Sequence, residues 1–133
     1  MFKRILLAVD GSEHSKKAVA AAAEIAEGSN GEVHVLHVHE VGAFAPLESP
    51  VESQALVDGI LDELLGAGVK TVGDAVAART GSTAATILDG AKAFGSDLIV
   101  MGTRGLSDFS GLLLGSVAHK VIQKADCPVL VTR

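Results

Sequence analysis

The amino-acid sequence predicts an α/β protein with an open, five-stranded parallel sheet and helices on both of its faces. Short unbroken apolar runs, typical of strands that are covered on both sides, alternate with longer segments whose apolar residues recur at helical spacing. The length of 133 residues is enough for one core and needs no second domain. We therefore expect a single domain over residues 1–133.

The predicted elements begin and end at residues that favour helix boundaries. Ser12 is a typical N-cap, and Ser49, Pro50 and Glu52 form a capping box with proline in the first turn. In chain order, the predictions are a strand over Arg4–Val9, a helix from Ser12 to about Gly28, a strand over Val33–Val38, a loop over Glu40–Leu47, a helix from Ser49 to Gly66, a strand over Thr71–Ala78, a helix over Ser82–Phe94, a strand over Leu98–Met101, a helix from Ser116 and a strand over Pro128–Thr132.

Composition and charge exclude several classes of function. A net charge of -5 argues against sequence-independent nucleic-acid binding, which needs an excess of cations. The apolar runs are far shorter than a membrane span, and the first residues lack a signal-peptide cleavage pattern, so we expect a cytoplasmic protein with no membrane partner. Cys127, the one cysteine, rules out an internal disulfide. Its apolar surroundings at a strand entry favour a buried structural thiol over a nucleophile.

A glycine-interrupted loop follows the apolar run over Leu98–Met101. Gly102 and Gly105 lie three residues apart, and Gly115 and Ser116 then lead into a helical segment. Glycines let the main chain approach a ligand closely, and a helix N-terminus offers unpaired N–H groups, so this loop is suited to bind an anion such as phosphate. The spacing differs from the lysine-containing loop of common ATPases and from the tight glycine pattern of dinucleotide folds.

The pattern G-x-x-G, nine residues and G-S, with I-L-L-A-V-D-G-S near the start and A-D-C-P-V-L-V near the end, resembles the universal stress protein family, in the branch whose members bind ATP. The resemblance covers essentially the whole chain. It implies a Rossmann-like adenine-nucleotide-binding fold with strand order 3-2-1-4-5. Asp10 and Gly102 would then follow neighbouring strands where the strand order reverses, the place where such sheets bind ligands.

The resemblance also implies roles for individual residues. The glycines and the start of the last helix would hold the triphosphate, the Val38 backbone would contact adenine, and Ala8 and Met101 would line the pocket. ATP is the implied cofactor, with Mg²⁺ (or Mn²⁺) held by Asp10 and the phosphates. The expected nucleotide-binding residues are Ala8, Val9, Asp10, Val38, Met101, Gly102, Arg104, Gly105, Gly115, Ser116 and Val117.

Two of these residues have a second interpretation. Asp10 lies directly before the helix that begins at Ser12, so it also fits a helix-entry cap, and both roles are compatible. Arg104 either neutralises phosphate charge or remains a solvated side chain.

Three histidines lie close together in the second predicted strand. His37 and His39 share one face and His34 lies on the other, so at most two converge, and we favour an interpretation without a transition metal. His37 or His39 reaching the crevice is an open alternative. His14 and His119 fall on helical segments and are expected at the surface or in a second layer.

The last strand, Pro128 to Thr132, is expected at an edge of the sheet, where an apolar strand invites pairing with a second copy. The alternative is a covering helix or loop, but no segment of the chain is left over to supply one. The family commonly dimerises, so the resemblance implies a homodimer as well.

Three functions are consistent with the sequence. The first is an ATP-binding stress-response or signalling module, in which the nucleotide sets the shape of the glycine loop and the interactions of the dimer with other proteins. The second is a slow ATP hydrolase that uses Asp10 and a metal ion, although no general base or phosphate-binding lysine is evident. The third is a nucleotide-free dimerisation scaffold, against which the intact Gly102, Gly105, Gly115 and Ser116 argue.

Overall fold

The computed structural model describes residues 1–43, 48–103 and 114–133, and within them the predicted strands and helices are confirmed in type and order. Arg104 and Gly105, which belong to the expected site, lie outside the described residues. The elements are β1 Arg4–Val9, α1 Glu13–Ser29, β2 Glu32–Val41, α2 Pro50–Gly66, β3 Lys70–Arg79, α3 Thr83–Phe94, β4 Leu98–Gly102, α4 Ser116–Lys124 and β5 Val129–Thr132.

The sheet is parallel throughout, and its order β3-β2-β1-β4-β5 confirms the order 3-2-1-4-5 that the resemblance implied. β1 lies in the middle, where Leu7 is paired with Val35 of β2 on one side and with Val100 of β4 on the other. β2 is longer than predicted, because it stays paired with β3 up to Val41, opposite Arg79. The predicted loop over Glu40–Leu47 is therefore wrong at its start, and residues 44–47 lie outside the described residues.

Each face of the sheet has its own apolar core, because successive strand side chains point to opposite faces. Ile5, Leu7 and Val100 pack under α1 and α2, whereas Leu6 and Ile99 pack under α3 and α4. Leu65 of α2 lies outside both cores and is 57% exposed. Within the described residues, no helix is both long enough and apolar enough to cross a lipid bilayer.

The predicted helix caps form as local hydrogen bonds. The Ser12 hydroxyl accepts from the Ser15 N–H at 3.2 Å, and the Ser49 hydroxyl accepts from the Glu52 N–H at 3.1 Å. α1 ends at Asn30, whose φ of 54° puts it in the left-handed conformation that a helix C-terminus favours. These caps set where α1 and α2 begin and thus which residues lie at the carboxyl edge of the sheet.

The amino edge of the sheet is held by side chains that bind the main chain. The Asp97 carboxylate accepts from the N–H groups of Lys3 at 2.9 Å and Arg4 at 3.1 Å. Arg4 donates its Nε to the Phe94 carbonyl at 2.6 Å and stacks 4.1 Å from the centre of the Phe94 ring. The start of the central strand is therefore fixed to the end of α3 and the start of β4.

Candidate functional site

The carboxyl ends of β1 and β4 meet where the strand order reverses, so the crevice expected from topology lies between the residues that follow them. Asp10 follows β1, and Thr103 follows Gly102 at the end of β4. The N-terminus of α4 returns to this edge, since the Gly115 N–H donates to the Thr103 carbonyl. Three of the predicted positions, Asp10, Gly102 and Gly115, are thus at one edge of the sheet.

An apolar surface lies beside this edge on the face covered by α3 and α4. Ala8 and Met101 belong to the core cluster of that face and are 8% and 6% exposed. Val38 and Val117 are half-buried and pack against the same cluster. The structure therefore brings together four residues that are far apart in the sequence and that were predicted to share a site. Val9 belongs to the core on the opposite face.

Asp10 takes part in the entry to α1. One carboxylate oxygen accepts from the Ser12 N–H at 2.9 Å, and the Asp10 N–H donates to the Ser15 hydroxyl at 3.1 Å. Gly11 between them has a φ of +84°, which glycine adopts without strain. The helix-entry interpretation of Asp10 is thus correct. Its carboxylate lies at the carboxyl edge of the sheet, where β4 also ends.

Gly102 has a packing role that the sequence did not reveal. A Cβ added at this position would lie 2.6 Å from the His14 Cβ and 2.9 Å from the His14 carbonyl carbon. Contacts of this length do not occur in folded proteins, so the first turn of α1 sits directly against β4 only because residue 102 is glycine. His14 also approaches Thr103, with 3.2 Å between its Nδ1 and the threonine hydroxyl.

Both ends of the glycine loop are tied to the sheet. The Thr103 N–H donates to the Thr132 carbonyl at 2.7 Å, and the Thr132 hydroxyl donates to the His14 carbonyl at 2.9 Å. The Thr103 carbonyl also accepts from the Gly115 N–H, so the two residues that flank the glycine loop are in contact. The beginning of the loop is therefore linked to both α1 and β5.

The start of α4 offers main-chain donors at this edge. Gly115, which is buried, is the N-cap of α4, and among the described residues no side chain caps this helix. The first hydrogen bond of the helix runs from the His119 N–H to the Gly115 carbonyl. The N–H groups of Ser116, Val117 and Ala118 consequently have no acceptor within the helix. Ser116 is exposed, so its hydroxyl and the partial positive charge of the helix end are open to a ligand.

A buried polar cluster lies on the other face of the same edge and was not predicted. We call it the His37 cluster; it consists of His37, His39, Glu48 and Ser53. His37 is 3% exposed, and its ring nitrogens lie 2.8 Å from the Val9 carbonyl and 2.9 Å from a Glu48 carboxylate oxygen. Ser53 donates to the same oxygen at 2.9 Å and lies 3.2 Å from Nδ1 of His39.

The pKa of Glu48 reflects these contacts. Burial acts to raise the pKa of the carboxyl, but the hydrogen bonds from His37 and Ser53 and the charges of His37 and His39 bring it below the ordinary 4.5. The sequence signal for this cluster is weak, because Glu48 resembles any loop acid and the burial of Ser53 depends on how α2 lies on the sheet.

The other singled-out groups have structural surroundings. His34 lies on the opposite face from His37, as predicted, and pairs with Asp74 at 2.9 Å. Among the described residues, no three His, Cys, Asp or Glu side chains are arranged to hold a metal ion. Cys127 is half-buried, and burial together with Asp97 and Asp126 raises the pKa of its thiol, which lowers its reactivity.

A cavity of about 310 Å³ lies at the opposite end of the sheet, between the C-terminal ends of α3 and α4. Lys92 and Lys124 line it together with Asp89 and Asp126, so its charges are mixed. Helix C-termini carry partial negative charge, which disfavours phosphate. The carboxyl edge is therefore the better candidate for an anionic ligand.

The fold defines an open α/β protein, and its topological switch point, where such sheets bind ligands, lies at this edge. A profile of the universal stress protein family matches residues 1–133, and the chain belongs to that family. It is 38% identical to universal stress protein YxiE of Bacillus subtilis, with all of both chains covered.

Solved structures of related proteins have the same fold. One is the hypothetical protein MJ0577, with a TM-score of 0.80, 27% identity and coverage of 99% of this chain and 96% of that one. Another is a universal stress protein in complex with cAMP, with a TM-score of 0.78, 26% identity and coverage of 99% and 97%.

Proposed function

We propose that this chain is a cytoplasmic ATP-binding module that acts in stress response or signalling as a homodimer. The observation that carries the proposal is that Ala8, Val38, Met101 and Val117 all belong to, or pack against, the apolar cluster on the face of the sheet where α4 begins. An adenine ring needs an apolar surface, and phosphates need N–H donors. The two kinds of surface occur side by side at the switch point.

The phosphates would lie at the start of α4. Ser116 supplies a hydroxyl, and the N–H groups of Ser116 and Val117, in the first turn of α4, have no acceptor within the helix. Gly102 and Gly115, and Gly105 and Arg104 in the loop between them, are proposed to follow the phosphate chain. That a related universal stress protein binds cAMP, an adenine nucleotide, supports the base and sugar positions more directly than the triphosphate.

A divalent cation, Mg²⁺ or Mn²⁺, fits this arrangement as a companion of the phosphates. Asp10 is the carboxylate at the edge of the sheet, and phosphate oxygens would complete an all-oxygen ligand set of the kind that Mg²⁺ prefers. Asp10 alone does not make a metal site, since no group of three ligands occurs among the described residues. We therefore expect cation binding only together with the nucleotide.

The homodimer would form through β5. This strand is at an edge of the sheet, and Leu130 on it is 38% exposed with Val129 and Val131 half-buried. Antiparallel pairing with a second copy would cover these apolar side chains. Light scattering on the purified protein tests this directly, and Leu130→Lys should shift a dimer toward monomer.

The nucleotide is tested by denaturing freshly purified protein and analysing the released small molecules by mass spectrometry. Stoichiometric ATP supports the proposal, whereas ADP alone favours slow hydrolysis. A protein that releases nothing and shows no calorimetric signal with added ATP and Mg²⁺ is a scaffold, and the proposal is then wrong.

The phosphate position is tested by Ser116→Ala. If the hydroxyl binds a charged phosphate, its loss should weaken ATP binding by about 1.5–3 kcal/mol, roughly 10- to 100-fold in Kd. Ser82→Ala is the control, because Ser82 also lies at a helix start, as the residue before α3, and its side chain makes no cap hydrogen bond. Equal Kd values for both variants and the wild type would contradict the placement of the phosphates.

A further inference from the structure

The His37 cluster contains a contact that exists only while a particular proton is present. A carbonyl oxygen only accepts hydrogen bonds, so Nδ1 of His37, 2.8 Å from the Val9 carbonyl, must carry a hydrogen. Nε2 of the same ring lies 2.9 Å from a Glu48 carboxylate oxygen. This second contact needs another hydrogen between the two atoms. Without it, the Nε2 lone pair faces a carboxylate oxygen and the pair repels.

Ser53 and His39 cannot supply the missing hydrogen. The Ser53 hydroxyl donates its one hydrogen to the Glu48 oxygen at 2.9 Å and accepts from Nδ1 of His39 at 3.2 Å. The hydrogen bonds thus run from His39 to Ser53 and from Ser53 to the Glu48 carboxylate. Loss of the proton shared by His37 and Glu48 would leave the other contacts intact and break this one.

Among the residues that the structure describes, few other ionisable groups face His37. On β2, His39 stacks on it with 6.4 Å between ring centres. β3 places Ala75 opposite it, and the core residues of α1 and of α2 on this face are apolar apart from serines. β1 contributes Val9, which Asp10 follows in the chain. The ionisable groups around this contact are therefore His37, Glu48 and His39, with Asp10 next to Val9 in the chain.

The contact joins parts of the chain that border the proposed site. Val9 is the last residue of β1 and precedes Asp10, while Val38 directly follows His37. Glu48 directly precedes Ser49, the N-cap of α2. With the proton in place, His37 therefore ties the ends of β1 and β2 to the entry of α2.

We propose that His37 is a positioning residue for the nucleotide site, and that the proton it shares with Glu48 makes nucleotide affinity depend on pH. The inference rests on the proposed function. Because the contact exists only with this proton, the pair opens when the proton is lost as the pH rises. Opening releases Glu48 and the entry of α2 from the end of β2, directly beside the Val38 backbone, and weakens binding.

The test is the calorimetric Kd for ATP with Mg²⁺ at several values between pH 5.5 and 8.5. The protonation of the ATP phosphates changes with pH in the same way in every experiment. The effect of the protein is therefore the difference in Kd between variants at each pH. We expect the wild type to lose about tenfold in affinity toward high pH relative to Glu48→Gln. A glutamine amide donates to Nε2 of a neutral His37, so this variant keeps the contact without the shared proton and should keep its affinity.

His37→Asn and His34→Asn complete the set. An asparagine at 37 can still donate to the Val9 carbonyl but does not reach Glu48, so affinity should be low at every pH. His34 is paired with Asp74 at the same 2.9 Å on the other face of β2, and its variant should retain the wild-type profile.

Two failures are distinguishable. If ATP binds and the wild type, Glu48→Gln and His37→Asn have the same pH profile, the positioning role is overturned and the proposed function stands. If none of these proteins binds ATP at any pH, the proposed function fails and this inference fails with it.

Discussion

The two ends of the sheet use polar side chains in different ways. At the amino edge, Asp97 and Arg4 bind main-chain groups, so each hydrogen bond fixes the path of the backbone. At the carboxyl edge, some polar side chains bind the main chain, but others bind one another, as His37, Glu48 and Ser53 do. Bonds between side chains can exchange partners or protons without unfolding the strands. The difference suggests that one edge maintains the fold and the other is available for ligands.

The strongest test of this division is Asp97→Ala. The N–H groups of Lys3 and Arg4 would lose a charged acceptor at the start of the central strand, so we expect the free energy of unfolding to fall by about 1.5–3 kcal/mol. Urea denaturation measures this. Asp126→Ala is the control: its carboxylate lies at the same end, 87% exposed and 4.0 Å from Lys92, and should contribute little. A larger loss in ATP affinity than in stability would break the comparison.

Gly102→Ala should disturb the carboxyl edge through packing. The new methyl group would lie 2.6 Å from the His14 Cβ, so α1 or β4 must shift, at a cost of about 1–3 kcal/mol. Thermal unfolding checks the stability loss. Gly28→Ala has no atom within 4 Å of the added Cβ and lies in α1, so it should stabilise by up to about 1 kcal/mol. If both alanines behave alike, close packing at residue 102 is not the reason for glycine there.

Acid should weaken the carboxyl edge through Glu48. Its pKa in the folded protein is below the ordinary value, so the carboxylate stabilises the fold above about pH 4.5 and this contribution disappears as the pH falls through the lowered pKa. The difference in unfolding free energy between wild type and Glu48→Gln should thus be largest at mildly acidic pH, above the lowered pKa of Glu48 and below the range in which the shared proton is lost, and it should shrink as the pH falls further. Urea titrations from pH 3.5 to 7 measure it, with the exposed Glu52→Gln as control. A constant difference across this range would contradict the prediction.

The smallest effect is expected for Lys16→Ala. Lys16 pairs with Glu13 at 3.0 Å, but the two side chains are 69% and 82% exposed. Pairs of this kind contribute little, so stability should change by less than about 0.5 kcal/mol. A loss above 1 kcal/mol would show that surface charge near the start of α1 matters more than the comparison of the two edges allows.

Much of the fold was predictable because its signals are local. The serine at 49 and the glutamate at 52 begin α2 through a hydrogen bond that spans three residues, and the apolar run over Leu98–Met101 needed only its own composition. The strand order was different. Alternation of strands and helices does not tell which strands are neighbours, so that order came from the resemblance to a family and not from periodicity.

The candidate site was predictable only in part, because some of its groups are defined by distant contacts. Ala8, Val38 and Met101 come together through sheet pairing, which the resemblance anticipated. No local signal joins His37 to the carbonyl of Val9, 28 residues away, or explains Gly102 by its contact with His14. Such pairs become visible only when helices and strands are placed against each other.

The central position of β1 also has a consequence for synthesis. β1 is made first, but the residues that hold its start and one of its sides come much later: Asp97 lies 94 residues beyond Lys3. During synthesis, one side of the apolar strand β1 remains unpaired until β4 has emerged from the ribosome. Proteins rich in contacts of such long sequence separation fold more slowly than helical ones of similar length, and their waiting intermediates are prone to aggregate. A chaperone that shields β1 until β4 has been synthesised would therefore increase the yield of native protein.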